Sequence, residues 1–481
     1  MAGTVGRVLS VASECVPLIK TGGLADVVGA LPAALGEIGW DVRTLLPAYR
    51  GLTAKLHAPT IVWRDEDLFG GRATILAGTL LGQQFLLLDA PHLFDRSGGP
   101  YSFDGRDHAD NSTRFAALSW AAARASETGL ENGWKPDLLH VHDWQAALAP
   151  YYLVQRDSGV PSVMTVHNMA FQGVTPRQEL DLLRLSPEDF NPGILEYYGN
   201  ISTLKAGLVS SRAVTTVSQT YADELMRPEF GMGLEGVVAS RASDLHGIVN
   251  GIDTEIWNPE TDPAIAHYSS SKLARKSINR EKLMSEFGLT DIPGPLAIVV
   301  SRLTHQKGID LLPSVLAPFI EAGGGLAVLG TGEPLLEGSM LEAAQRWAGR
   351  VGVRIGYDEA LSHRMFAGAD AVLVPSRFEP CGLTQLYGLR YGAVPVVSAT
   401  GGLADTVISA TPASLTAGVA TGVAFNPIDE IALSQALRRL LDLYADKSAW
   451  TSLQKRGMKS DLGWRRAAEK YALVYETVRS R

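Results

Sequence analysis

The sequence has almost no cysteine: Cys15 and Cys381 are the two in a chain of 481 residues. A disulfide framework is excluded, and a reducing compartment is expected. Basic charge is not in excess either. Lys and Arg number 43 against 51 Asp and Glu, a formal net charge of -8. That balance argues against nucleic acid or an anionic membrane as main partner, while leaving room for a local basic pocket that binds phosphate. No apolar run approaches the length that spans a bilayer. No charged, apolar and small-residue segments follow one another at the N-terminus as they do in a signal peptide. Low-complexity segments and solenoid periods are missing too. The expected setting is the cytoplasm.

What is present is a loop-rich globular composition, 46% hydrophobic with 49 glycines against 25 prolines. A chain of this length exceeds one core, so two domains are expected. Short β-rich runs alternate with helical runs, the pattern of parallel βαβ units. In the first half Val8 to Val11, Leu45-Leu46, Phe85 to Leu88, Leu138 to Val141, Val163 to Val166, Ala213 to Val217 and Gly247 to Val249 read as strands. After Asn258-Pro259 a polar stretch from about Glu260 to Ser277 reads as an interdomain linker. A second series begins at Leu296 to Val300 and continues through Leu326 to Leu329, Val353 to Ile355, Ala371 to Val374 and Val394 to Val397. A final helix, Trp464 to Val478, places Trp464, Ala468, Tyr471, Tyr475 and Val478 on one face. The expected division is residues 1–259, residues 260–460, and a helix in 461–481 that packs back on the first domain.

The pentapeptide GGLAD occurs twice, at Gly22 to Asp26 and Gly401/Gly402 to Asp405. Each copy follows an apolar β-type run and opens a helical run. Strand, glycine turn and helix form a backbone suited to an anion, because glycines permit close approach and first-turn N–H groups point at the ligand. The expectation is two nucleotide-fold domains facing a shared cleft.

Further segments carry chemistry. In Ser301 to Gly308, Arg302 and Lys307 share one strand-to-helix loop, where ligands bind in open α/β sheets. A guanidinium fork beside a mobile ammonium suits a diphosphate, although both could be solvated loop charges. In Glu379 to Thr384, backbone N–H groups and the Thr384 hydroxyl stand at a helix start, with Glu379 just before it to meet sugar or ribose hydroxyls. Cys381 reads as a wall of the site, since no His/Asn pattern supports a nucleophile. His140 and His142 share a face of one strand, which raises a metal reading without a further ligand set to complete it. His167 ends the next strand, placed for a sugar hydroxyl or simply satisfied within the fold. Asp65 and Asp67 spell an Asp-x-Asp inside a charged stretch that reads as a solvated loop. Gly330-Thr331-Gly332 is a lone Gly-x-Gly whose distal acid is out of register.

Together these segments resemble the bacterial and plastid glycogen/starch synthases. KTGGLADVVGALP (Lys20 to Pro32) is similar to that family's N-terminal signature almost letter for letter. HVHDW, TVHN, VNGID (Val249 to Asp253), SRLTHQKGID, RFEPCGLTQ and ATGGLADTV follow in the family's order and spacing, over essentially the whole chain.

The resemblance implies a GT-B architecture: two Rossmann-like domains, a deep cleft and a C-terminal helix crossing back to the first domain. It implies transfer of glucose from ADP-glucose to the non-reducing 4-OH of an α-1,4-glucan with retained configuration, and no cofactor. Carried over by motif, Lys20, Gly22 and Gly23 approach the donor from the first domain. Arg302 and Lys307 neutralise the diphosphate, and Cys381, Gly382, Leu383 and Thr384 form the phosphate-binding helix start. Glu379 and His167 hold glucose hydroxyls, and Asp143 lies near the reacting centre. Asn250 is assigned to sugar and Tyr357 to adenine. No metal is implied, since cationic side chains meet the leaving group. One departure is Gln145, where the family commonly has histidine after the HDW tryptophan. Alternatives are another retaining GT-B enzyme, a sucrose-type synthase or glucan phosphorylase, or a non-catalytic glucan-binding regulator. Oligomeric state is not legible.

Overall fold

The computed structural model describes residues 4–290 and 292–481. The reading of the N-terminus rests partly on Met1, Ala2 and Gly3, which lie outside the described residues. The chain divides into two compact units, one of Met1–Gly251 with Trp464–Arg481 and one of Ile252–Gly463.

The first unit is built on a nine-stranded sheet among the described residues. In spatial order its strands are Leu245–Gly247, Ala213–Thr216, Ser162–Val166, Leu138–His142, Gly6–Val11, Trp40–Pro47, Gln83–Asp89, Ala73–Leu80 and His57–Asp65. All neighbours run parallel except the last three strands, which form an antiparallel edge. The central strands are apolar along most of their length because helices cover both faces. Val8, Leu9, Val11, Leu138, Leu139, Val141, Val163 and Val166 are all fully buried. Strand order reverses at Gly6–Val11, whose neighbours are the following strand on one side and Leu138–His142 on the other.

The final helix, Arg465–Ser480, covers this sheet. Trp464, Ala468, Tyr471, Tyr475 and Val478 are buried against Val8, Val27, Leu31, Trp40 and Leu138. Tyr475 also stacks edge-on with Trp40 at 5.2 Å. The periodic apolar face thus finds its partner almost an entire chain length away.

The second unit carries a six-stranded parallel sheet among the described residues, in the order Val351–Ile355, Gly325–Gly330, Leu296–Val300, Ala371–Val374, Val394–Ser398 and Val423–Phe425. That is strand order 3-2-1-4-5-6 within the unit, the Rossmann arrangement, with its reversal between Leu296–Val300 and Ala371–Val374.

Three expectations are corrected here. The strand near residue 247 runs Leu245–Gly247 rather than Gly247 to Val249. The first GGLAD copy is separated from its strand by residues 12–21, whereas the second follows its strand after two residues. The polar stretch after Pro259 is not a bare linker but is packed on the second unit. Asp262 Oδ2 accepts from His363 Nδ1 at 2.7 Å and from Tyr391 Oη at 2.5 Å. The buried Lys276 Nζ donates to the carbonyls of Phe366, Ala367 and Tyr391 at 2.8–2.9 Å. Those carbonyls lie at helix C-terminal ends, where an ammonium is favourable. The polarity of this stretch is that of a buried hydrogen-bonded network, and burial lowers Lys276 to about 7.

Candidate active site

Each sheet gathers functional groups at its own point of strand reversal, where adjacent loops leave the carboxyl ends in opposite directions and open a crevice. In the first unit the loop after Gly6–Val11 carries Glu14, Lys20, Gly22 and Gly23. Glu14 is buried, at 3% exposure. Its carboxylate accepts from the Thr21 N–H, from Thr21 Oγ1 at 2.9 Å, from the Gly22 N–H at 3.2 Å and from Tyr101 Oη at 3.1 Å. An internal anion therefore fixes the turn that leads into the helix Gly23–Glu37. A Cβ on Gly22 or Gly23 would meet no atom within 4 Å, so a ligand can approach this backbone closely. Lys20 is exposed and pairs with Asp26 at 2.8 Å.

The second GGLAD copy does something different. The Gly402 N–H donates to the carbonyls of Glu379 and Pro380 at 3.0 and 3.1 Å. A Cβ on Gly401 or Gly402 would lie 2.1 Å from the carbonyl oxygen of Glu379 or Cys381 respectively. These glycines let one turn pack onto the Glu379–Cys381 turn, so the expectation of two equivalent anion-receiving turns is corrected. The first serves an open face and the second buttresses its neighbour.

Across the reversal in the first unit, Leu138–His142 ends in Asp143. That residue has φ +54°, a left-handed conformation that Asp tolerates better than most. Asp143 Oδ1 accepts from the backbone N–H of His167 at 2.7 Å and of Asn168 at 3.4 Å. Burial raises the Asp143 carboxyl to about 7; the two backbone bonds oppose that rise and the nearby Glu14 charge adds to it. The next strand delivers His167, whose Nε2 meets His142 Nδ1 at 3.0 Å. His167 keeps part of its surface exposed, yet enough of the ring is enclosed that burial lowers it to about 3.

His140 faces elsewhere, toward Thr165 Oγ1 at 2.6 Å and Tyr475 Oη at 2.8 Å. Among the described residues no group of three or more His, Cys, Asp or Glu is arranged to hold a metal ion. Asp65 and Asp67 form a local turn, the Asp67 N–H donating to Asp65 Oδ1 at 2.9 Å. Asn250 is buried, and its Oδ1 has no hydrogen-bond partner among the described residues.

In the second unit the loops after Leu296–Val300 and Ala371–Val374 meet. Lys307 Nζ donates to Glu379 Oε2 at 2.5 Å, and Ser376 Oγ donates to the same oxygen at 2.9 Å. Val300, Ser301, Lys307, Ser376, Glu379 and Thr384 line one small pocket. Thr384 opens the helix Thr384–Tyr391, with Leu383 as its cap residue and Gly382 at φ +71°. Arg302 is exposed, and its guanidinium has no partner among the described residues. Cys381 is buried in the wall. Tyr357 is 77% exposed beyond the strand Val351–Ile355, its hydroxyl on Glu359 at 2.8 Å.

Sequence reasoning missed Glu14, Tyr101, Ser376 and Gln385. Gln385 Nε2 braces the 381–382 turn by donating to the Cys381 and Gly382 carbonyls at 3.0 and 2.9 Å. The spacing of Glu14 before the glycine turn, and Gln385 one residue after Thr384, were the available signals. Gln145, the departure from the family pattern, is buried with Oε1 unpartnered among the described residues.

Two Rossmann-like parallel sheets, each with its polar groups at the strand reversal, define a glycosyltransferase of the GT-B class. Residues 7–240 match the model of the starch synthase catalytic domain, and residues 294–443 that of glycosyl transferases group 1. The chain is 61% identical over 471 residues to a glycogen synthase of Cereibacter sphaeroides, covering 98% of both chains. It is 53% identical to a glycogen synthase of Rhizobium rhizogenes, covering 99% of both. Its structure is similar to the catalytic domain of starch synthase IV from Arabidopsis thaliana bound to ADP and acarbose, with TM-score 0.88, 31% identity, and 99% and 100% of the two chains covered. A sucrose-phosphate synthase from Thermosynechococcus elongatus shares the fold, with TM-score 0.61 at 18% identity and 99% of both chains covered. The chain belongs to the glycogen synthase family. No helix among the described residues is long and apolar enough to cross a membrane.

Proposed function

We propose that the chain transfers glucose from ADP-glucose to the non-reducing 4-OH of an α-1,4-glucan in the cytoplasm, with retention at the anomeric carbon. The observation that carries this reading is the Lys307–Glu379 pair at the strand reversal of the second unit, beside an unpartnered Arg302. A diphosphate leaving group gains negative charge as its bond to the sugar breaks. Preorganised cations stabilise that charge without reorganising. Arg302 and Lys307 supply them, and the Thr384 helix start adds backbone N–H donors. Glu379 is held by Lys307 and Ser376 in one orientation, suited to accept from glucose hydroxyls.

On the first unit, Lys20 and the open Gly22-Gly23 backbone meet the donor, His167 and Asn250 meet the sugar, and Asp143 fixes the His167 main chain. Tyr357 is assigned to adenine. The C1–O bond to the diphosphate breaks as the acceptor O4 bonds to C1 on the same face. The acceptor proton passes to the departing phosphate oxygen, and ADP leaves. The test is turnover with ADP-glucose beside UDP-glucose, glycogen as acceptor, with the new linkage read by NMR. An inactive protein, or a β-linked product, overturns this reading.

A further inference from the structure

The HVHDW segment contains a histidine that the reading above leaves without a task. His142 is fully enclosed, at 1% exposure, and each of its ring nitrogens has one partner. Nε2 lies 3.2 Å from Ser10 Oγ, and Nδ1 lies 3.0 Å from His167 Nε2. Three neighbouring strands supply the three groups: Ser10 from Gly6–Val11, His142 from the end of Leu138–His142, and His167 just past Ser162–Val166.

Burial holds His142 well below the usual histidine range and His167 at about 3, so both rings are neutral at physiological pH. A neutral imidazole has one N–H donor and one bare acceptor nitrogen. Between two neutral rings in contact lies a single proton, and two arrangements exist. Either His167 Nε2–H donates to His142, which then donates to Ser10, or Ser10 donates to His142, which then donates to His167.

Ser10 decides between them. It is 3% exposed, and among the described residues its hydroxyl has no hydrogen-bond partner other than His142. If Ser10 accepted the proton, its own O–H would be buried without an acceptor, the costlier of the two omissions. Ser10 therefore donates to His142 Nε2. The His142 proton then sits on Nδ1 and points at His167 Nε2, and the His167 proton is left on Nδ1. That nitrogen has no partner among the described residues. His140 does not compete, because both its nitrogens are taken by Thr165 and Tyr475. Asp143 fixes the His167 main chain, so ring and backbone are held by separate groups.

We propose that His142, anchored by Ser10, is a positioning residue that sets the tautomer of His167, so that His167 Nδ1–H is presented to the sugar as a hydrogen-bond donor. The inference rests on the assignment of His167 to the donor sugar. It goes further by fixing the polarity of that contact: the hydroxyl bound there accepts from His167 and keeps its own proton for another acceptor.

The test uses the full-length protein labelled with 15N-histidine, in long-range proton–nitrogen correlation spectra. His167 is assigned by the signals lost in His167→Ala. The expected spectrum shows His167 protonated on Nδ1 and bare on Nε2, and His142 likewise. In Ser10→Ala the pair relaxes to a mixture of tautomers, and kcat with ADP-glucose falls about tenfold with KM little changed, as for other groups that orient a reacting side chain. A wild-type His167 protonated on Nε2 overturns the proposal, as does a Ser10→Ala spectrum with the wild-type tautomer. So does a shifted tautomer at undiminished kcat when His167→Ala is inactive. His167→Ala at wild-type turnover overturns the assignment of His167 and with it the catalytic consequence, while the spectrum still reports the tautomer.

Discussion

Lys307 Nζ and Glu379 Oε2 lie 2.5 Å apart, so the cation assigned to the diphosphate is already neutralised by the acid assigned to the sugar. Carboxylate and diphosphate thus compete for one ammonium. In Glu379→Gln the competition ends, and ADP should bind at least as tightly as to the wild type. Turnover should still fall on the order of a hundredfold, because the oriented acceptor for glucose hydroxyls is lost. Calorimetric titration with ADP beside a turnover assay checks both. Weaker ADP binding in this variant would mean that Glu379 supports the nucleotide rather than the sugar.

Glu14 is an anion built into the chain at the first glycine turn. Glu14→Gln replaces one acceptor oxygen by a donor that faces the Thr21 and Gly22 N–H groups. These donors are part-buried, so leaving them unpaired costs on the order of 1 kcal/mol, the low end of the range for buried groups, and the urea midpoint should drop. The KM for ADP-glucose should rise as well, since the turn that carries Lys20 loosens. Tyr101→Phe removes one bond to the same carboxylate and should act in the same direction by less. Unchanged midpoints in both variants would show that the turn holds without its carboxylate.

The alternation of apolar strands and helices was legible because each strand's burial is a local property of its own run. The five-residue face of the last helix was legible for the same reason. What could not be read was anything decided by a distant partner. His140 and His142 share a face in sequence, yet one ring turns to Tyr475 at the far end of the chain and the other to His167. The polar run after Pro259 looked like a linker because only the fold reveals the distant partners of its polar groups, Tyr391 for Asp262 and the Phe366 carbonyl for Lys276. The two GGLAD copies are identical in letters. Their difference arises from Glu14 before one and the Glu379–Cys381 turn packed against the other. Likewise Ala73–Leu80 owes its place to pairing with Gln83–Asp89, and His57–Asp65 to pairing with Ala73–Leu80, and their alternation was not picked out.

Chelation should leave turnover intact while Arg302→Ala abolishes most of it. The proposed reading gives the leaving-group charge to Arg302 and Lys307, so removing either should cost about 3 kcal/mol of transition-state stabilisation, roughly a hundredfold. Assays with and without EDTA, run on the wild type and on Arg302→Ala, decide the matter. Complete inhibition by EDTA that is restored by a divalent cation would give the diphosphate to a metal, and near-wild-type turnover in Arg302→Ala would remove the guanidinium from the reaction.

Asp143 should make the protein less stable as pH rises toward neutrality. Its carboxyl titrates at about 7 in the folded chain against 3.8 as the ordinary value, chiefly because it is buried. Between those values the folded state binds a proton that the unfolded chain has released. Raising the pH therefore favours unfolding, and the contribution present below the ordinary value is lost as pH passes through about 7. Asn cannot titrate, tolerates the left-handed backbone at this position, and keeps an oxygen for the His167 N–H. Asp143→Asn should consequently gain on the wild type in urea midpoint as pH is raised from about 5 to about 8. Glu14→Gln should shrink that gain, because the Glu14 charge contributes to raising the carboxyl. Urea titrations of the wild type, the two single variants and the double variant across the pH series measure this directly. A constant difference between Asp143→Asn and wild type would mean that Asp143 is ionised throughout, and that the two backbone N–H groups outweigh burial at this site.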